Sequence, residues 1–355
     1  MNTVRFVLST ETGWIHSRLS TASEWSSKIQ LDTSVSDTPL LKSISSLSAL
    51  SSPAYSSQDQ PFIAASFDGV VSIYSPSLLQ LECAVVPVES PLITCTALYN
   101  LSNDNFSMFS LTNDGSLYRG EELLSQLPLS FSKPLPLLPG LPPMIRAFMS
   151  VSSSKMEVTT AAEHVEVYSI HESEVTKTFH SKQADKHPLT HVRPELFTTD
   201  IVSSTFGQKS IVIASSSRGS VHIFDPLAQS KPQHILVTPH LTNVRVNCLK
   251  VVDDFTFLSG DSTGAINIWD LRKTTAPLRK LKGAMGSVKS INLIDDVIAC
   301  VDLDQRLTFW RDYNNRTATS VFINDRPNKL LILPFEERSV GVEEGEPVIK
   351  KPRLS

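Results

Sequence analysis

An all-β fold, a seven-bladed β-propeller of WD40 type, is what this sequence predicts, and three observations carry the prediction. An apolar strand, a polar turn and a strand of alternating apolar residues recur seven times along the chain. Glycine stands in five of the seven turns, at Gly13, Gly69, Gly115, Gly219 and Gly264, with His164 and Gln305 in the equivalent places. Successive turns are separated by as few as 41 residues (Gly264 to Gln305) and as many as 56 (Gly13 to Gly69). That spacing brackets the ~40–45 residues of a four-stranded WD40 blade, the excess being loop.

In chain order the hairpins are Val4–Leu19, Phe62–Pro76, Phe106–Gly120, Met156–Ile170, Ser210–Pro226, Asp254–Leu271 and Asp296–Asp312. Alternation such as Val71-Ile73, Val221-Ile223 and Ile266-Ile268 lays one row of side chains on a buried sheet face. Glycine suits the turns because tight hairpins call for positive φ. Each blade also needs an innermost strand ahead of its hairpin. Lys42–Leu50, Leu92–Leu98, Met144–Val151, Ile201–Phe206, Val246–Val252 and Val288–Ile294 supply it for blades two to seven. Blade one has no such strand, so Asn328–Phe335 is expected to close the propeller by completing it, which removes an open sheet edge.

A chain of 355 residues exceeds the usual single-domain size, but an internal repeat lets one architecture grow that long. One propeller is therefore expected over residues 1–335, followed by a short disordered polar tail over 336–355. The Pro-rich stretch Pro134–Met144 reads as a surface connection between blades three and four. The net charge of −4 confines any nucleic-acid contact to a local patch. Cys83, Cys95, Cys248 and Cys300 lie apart in apolar strand-like stretches, which suits small buried hydrophobes better than zinc ligands or disulfides. No apolar run reaches the ~18 residues a membrane span needs. Met1 to Leu8 lacks the pattern of a signal peptide, and a soluble intracellular protein is expected.

Chemistry is hard to find. No nucleophile motif, phosphate-binding glycine loop, HExxH or paired-cysteine signature occurs, and none of the nine histidines has a metal-ligand spacing on a shared element. The expectation is a non-enzyme without cofactor or metal. Asp68, Asp114 and Asp304 occupy the turn position where WD repeats often bond turn amides with a carboxylate, or simply form the turn. Arg272, Lys273, Arg279, Lys280, Lys282 and Lys289 flank the connection between blades six and seven, either as phosphate contacts or as a solvated blade edge. Within that connection Gly283 and Gly286 let the backbone approach a partner closely, Ser287 can donate to phosphate or carbonyl, and Lys282 and Lys289 supply charge; a tight link between blades reads equally well. Lys350, Lys351 and Arg353 resemble a short nuclear-import signal or serve solubility.

Several stretches together resemble the nucleolar WD-repeat assembly factors of the large ribosomal subunit, the Nsa-type ribosome-biogenesis proteins. Thr10-Glu11-Thr12-Gly13 is similar to that family's first-blade turn, and Val192-Arg193-Pro194 with Phe197 to Ile201 is similar to the approach to its fifth blade. The most specific match is Asp270-Leu271-Arg272 followed by Leu281 to Lys289, then Leu303-Asp304 and Phe322 through Leu333. The likeness is strongest from Lys186 to Leu333. It implies a non-catalytic scaffold of the nucleolar (60S) precursor particle. Such a scaffold binds pre-ribosomal RNA and protein assembly factors, is a monomer within that complex, and is stripped off by an AAA-type ATPase. Lys280, Lys282, Gly283, Gly286, Ser287, Lys289 and Arg193 are then the candidate RNA or partner contacts, and the nucleus and nucleolus the expected location. The alternative is a substrate receptor of a cullin-type ubiquitin ligase, because Trp269-Asp270-Leu271-Arg272 looks like the box such receptors use, although packing alone also accounts for it.

Overall fold

The computed structural model describes residues 3–11, 14–20, 37–39, 44–49, 60–66, 69–74, 81–85, 92–100, 105–127, 146–151, 156–161, 164–171, 174–181, 198–206, 209–216, 218–237, 244–295, 297–310, 318–323 and 326–335. Among them every regular element is a strand, and the strands form seven four-stranded sheets. The first orders Pro327–Phe335, Thr3–Thr10, Trp14–Ser20 and Asp37–Pro39 from one edge to the other, so the C-terminal strand does complete the opening sheet. The second is Ile44–Ala49, Phe62–Ser66, Val71–Tyr74 and Leu81–Val85; the third is Leu92–Asn100, Asn105–Thr112, Ser116–Arg119 and Glu122–Gln126. The fourth is Arg146–Val151, Met156–Ala161, Val165–His171 and Glu174–His180; the fifth is Thr198–Phe206, Lys209–Ser216, Ser220–Phe224 and His234–Val237. The sixth is Val246–Val251, Thr256–Asp261, Ile266–Asp270 and Arg279–Leu281; the seventh is Val288–Ile294, Val297–Asp302, Arg306–Trp310 and Thr319–Phe322. This is the seven-bladed propeller fold, with the expected innermost strand in each sheet. Pro134–Met144 and the tail from residue 336 lie outside the described residues.

The seven central hairpins share one register. Ser9 opposes Ile15, Ala65 Val71, Leu111 Leu117, Thr160 Glu166, Ser215 Val221, Gly260 Ile266 and Val301 Leu307. One backbone position, two residues before the returning strand's partner, therefore recurs in each turn. It is left-handed at Gly69 (φ 97°), Gly115 (88°), Gly219 (87°), Gly264 (86°) and Gln305 (61°). His164 departs from this set, since among the described residues only Asp295 and Gln305 take positive φ without being glycine.

A second recurrence sits five residues before the same partner, where a short polar side chain caps the turn. Ser66 Oγ donates to the Val70 carbonyl at 3.0 Å, and Ser216 Oγ accepts from Ser220 N at 3.1 Å. Asp261 Oδ1 accepts from Thr263 N at 2.8 Å and Ala265 N at 3.1 Å, and Asp302 Oδ1 accepts from Arg306 N at 3.1 Å. In the expected set, Asp114 does accept from Ser116 N at 3.1 Å, while Asp68 lies outside the described residues. Asp304 is exposed, and the turn amide assigned to it goes to Asp302, the carboxylate already buried at the strand end.

The chain divides into two compact units, one of Met1–Thr112, Leu117–Leu124 and Asn328–Ser355, the other of Asn113–Ser116 and Ser125–Pro327. In the first unit Val7, Ile15, Leu331 and Leu333 pack on Phe62, Ala64 and Tyr74, which holds the closing strand against the opening hairpin and the second sheet. In the second unit apolar layers fill the spaces between successive sheets. Val167, Phe179, Ile201 and Phe224 join the fourth to the fifth; Ile213, Ile223, Leu249 and Trp269 join the fifth to the sixth; Cys248, Ile268, Val288 and Trp310 join the sixth to the seventh. Each such large side chain contributes roughly 1.5–3 kcal/mol through burial. Polar stitches add register between sheets: Leu249 N donates to Asp200 Oδ2 at 2.7 Å, and Asn247 Nδ2 donates to the Val288 carbonyl at 3.0 Å.

Candidate partner-binding surface

The connection from the sixth sheet to the seventh is held on both sides. It leaves the outer strand Arg279–Leu281, where Lys280 faces Asn267 across the ladder. Trp310 Nε1 then donates to the Lys282 carbonyl at 3.4 Å. Gly283 has φ +150°, and a Cβ there would lie 2.4 Å from Ala318 Cβ, so only glycine fits. A Cβ on Gly286 would meet the Asp304 carboxyl carbon at 2.7 Å, and one on Gly264 in the sixth turn would meet the Ala284 carbonyl oxygen at 2.6 Å. Gly283 therefore brings the backbone against Ala318 and Trp310, and Gly286 against the seventh turn at Asp304. Ser287 is also used internally, its hydroxyl accepting from Asn247 Nδ2 at 2.7 Å and its carbonyl from Leu303 N at 2.9 Å.

Asp302, with no exposed surface, locks the assembly. Its Oδ1 caps the seventh turn at Arg306 N and its Oδ2 accepts from Met285 N at 3.2 Å. The connection therefore has an inward face spent on bonds and close packing. The outward face carries Lys282 and Met285, with Leu303 exposed on the adjoining turn. Lys280 is exposed and Lys289 half-buried; Arg193, Lys350, Lys351 and Arg353 lie outside the described residues. Of the predicted contacts, the structure brings Lys282, Gly283, Gly286 and Ser287 into one rigid segment with Lys280 and Lys289 at its ends. Sequence reasoning missed Asp302, Met285, Leu303 and Phe322.

The Trp-Asp-Leu-Arg box is satisfied locally. Trp269 is buried and its Nε1 donates to Ser259 Oγ at 2.8 Å. Arg272 grips Asp270 with two bonds, Nε to Oδ1 at 2.9 Å and a terminal nitrogen to Oδ2 at 2.8 Å, and its guanidinium lies 4.7 Å from the Phe255 ring centre. Those hydrogen bonds hold the Asp270 carboxyl below its ordinary range. A bidentate fork stacked on a ring is how this box packs.

Two other sets of side chains bear on chemistry. Cys95, Cys248 and Cys300 are free and buried, and burial pushes the Cys95 thiol up to about 12 and Cys300 also well above its ordinary value, which suits inert side chains. In the fourth sheet the buried Glu166 carboxylate takes Tyr168 Oη at 2.6 Å, Lys177 Nζ at 2.8 Å and His180 Nδ1 at 2.8 Å. Burial alone would raise its pKa; the bonds from Lys177, Tyr168 and His180 outweigh that and leave it lowered. This network ties the outer strand down. Among the described residues no group of three or more His, Cys, Asp or Glu side chains is placed to hold a metal ion, and no helix is long and apolar enough to cross a membrane.

No family model matches the chain. Solved structures match its fold. The computationally designed Ika8 protein is 13% identical with a TM-score of 0.56, over 92% of this chain and 90% of that one. The WD40 β-propeller domain of Doa1 is 15% identical with a TM-score of 0.55, over 80% of this chain and 92% of that one. Raptor from Chaetomium thermophilum is 12% identical with a TM-score of 0.52, over 78% of this chain and 23% of that one. At these identities the likeness is one of fold, to a WD-repeat propeller.

Proposed function

We propose that this propeller is a non-catalytic scaffold in biogenesis of the large ribosomal subunit, binding pre-ribosomal RNA and assembly factors in the nucleolar precursor particle. The observation that carries the reading is the coincidence of two features on the connection between the sixth and seventh sheets. The stretch most similar to the Nsa-type factors is also the one where Lys280 and Lys282 stand exposed, with no carboxylate partner among the described residues. Unpaired cations on a rigid frame favour an anionic partner, because none of their attraction is spent inside the fold. Buried thiols at Cys95, Cys248 and Cys300 and a locally satisfied box suit a platform better than a catalyst. Release by an AAA-type ATPase and a nuclear, nucleolar location belong to the same reading. The test is co-sedimentation with large-subunit precursors of the combined variant Lys280→Glu, Lys282→Glu and Lys289→Glu. The expected result is loss of co-sedimentation with an unchanged melting temperature; wild-type co-sedimentation overturns the reading.

A further inference from the structure

Exposed Met285, Leu303 and Phe322 have no place in the core, and they sit on segments bonded to one another. Met285 is 68% exposed, Leu303 48% and Phe322 59%. Met285 N is held by Asp302, Leu303 N by the Ser287 carbonyl, and Ile323 N by the Gln305 carbonyl at 2.7 Å. Phe322 opposes Arg306 in the outer ladder of the seventh sheet. These backbone hydrogen bonds tie all three positions to the turn end of the seventh sheet. Two cations accompany them: Lys282 on the connection and Arg306 beside Phe322. Neither side chain has a carboxylate partner among the described residues.

We infer that this turn end of the seventh sheet docks an acidic protein segment carrying apolar anchor side chains. A cluster of large exposed apolar groups on a preorganised frame is what the centre of a protein interface requires, and little ordering entropy is lost when it is covered. Unpaired Lys282 and Arg306 supply charge complementarity to carboxylates at the rim. A nucleic-acid strand fits less well. Phosphate gains nothing from Met285 and Leu303, whereas apolar anchors do. The inference rests on the scaffold reading only in naming assembly proteins as the source of the segment.

The test uses the full chain and the combined variant Met285→Ser, Leu303→Ser and Phe322→Ser, whose positions are all exposed. Fluorescence anisotropy follows a short synthetic peptide of Asp and Glu interspersed with Leu and Phe, the same peptide with serine at every apolar position, and a uridine oligonucleotide. The apolar acidic peptide is expected to bind the wild type best and to lose about tenfold or more in affinity on the serine variant. Oligonucleotide binding is expected to be unchanged by that variant. Equal peptide binding by the two proteins, no peptide binding, or an oligonucleotide loss that matches or exceeds the peptide's each overturns the inference. Co-sedimentation separates the two claims. A chain that joins precursors while its peptide binding ignores the three side chains keeps the scaffold reading and loses the docking surface. A chain that binds the peptide through them yet joins no precursor does the reverse.

Discussion

The fourth and seventh hairpins close the same register with opposite resources. In the seventh, the cap is Asp302 at the end of the second strand, and its two oxygens reach both the turn and the incoming connection. In the fourth, the same position holds Ala161, which bonds nothing through its side chain. The missing cap comes instead from the outer strand: Val165 N donates to Ser181 Oγ at 2.8 Å, Ser181 N donates to the Val165 carbonyl at 2.8 Å, and His164 Nδ1 lies 3.0 Å from the Ser181 carbonyl. Lys177 and His180 of that strand bond Glu166 on the strand beside it. The outer edge of the fourth sheet is thereby spent on its own turn and guarded by charge, as exposed edges usually are. The seventh sheet caps itself from within, and its outer strand is left with Phe322 facing solvent. The fourth sheet is the exception here, since Ser66, Ser216 and Asp261 cap their turns from the same strand-end position as Asp302.

The sharpest way to break that comparison is Asp302→Ala. Two amides, Arg306 N and Met285 N, lose their buried acceptor, and a hydrogen bond left unmade costs up to ~1–3 kcal/mol each. A loss of about 3 kcal/mol is expected in denaturant unfolding, against an Asp302→Asn variant that keeps one acceptor and loses less. Similar stability for the alanine variant and the wild type would show that the seventh turn is held elsewhere.

Glu166→Ala comes next, at about 2 kcal/mol, because it strands Tyr168, Lys177 and His180 around a desolvated position. The same group sets a pH dependence. Its pKa is lowered in the fold from the ordinary glutamate value, so its stabilisation is fully present above that value and is lost as pH falls through the lower folded value. Melting temperature measured below pH 5 should fall more steeply for the wild type than for Glu166→Gln. Parallel curves would remove Glu166 from the account. Ser181→Ala is smaller, about 1 kcal/mol, since a single amide, Val165 N, loses its side-chain acceptor. Its expected signature is faster amide hydrogen exchange at Val165 with the seventh turn unaffected.

How much of this was legible in the sequence follows from distance along the chain. Strand alternation and turn glycines are local, so the hairpins, the innermost strands and the closing role of Asn328–Phe335 could be read directly. The repeating cap was hidden by chemistry: Ser66, Ser216, Asp261 and Asp302 are different residue types at one position, and Asp304, two residues on, looked like the cap. Glu166 meets Lys177 and His180 across a ladder containing a bulge between Val167 and Tyr168, so no simple spacing predicts their meeting. Met285, Leu303 and Phe322 fail the opposite way, because an apolar residue in a strand-like stretch reads as core until its exposure is known. Gly283 and Gly286 read either as points where the backbone approaches a partner or as a tight link between blades, and what lies against them is Ala318 and Asp304 of the same chain.

The smallest expected effect separates a docking surface from a structural one. Removing a buried apolar side chain leaves a cavity and costs several kcal/mol, whereas surface substitutions away from such features stay within about ±0.5 kcal/mol. Met285, Leu303 and Phe322 are each about half exposed or more, and the bonds that fix their backbone come from Asp302, Ser287 and Gln305. Each single serine substitution should therefore leave unfolding free energy within that band, while the triple variant loses its acidic partner. A triple variant destabilised by several kcal/mol would mean these side chains are covered within the fold itself. The contrast between a guarded fourth sheet and an open seventh would then disappear, because both rims would be serving the chain alone.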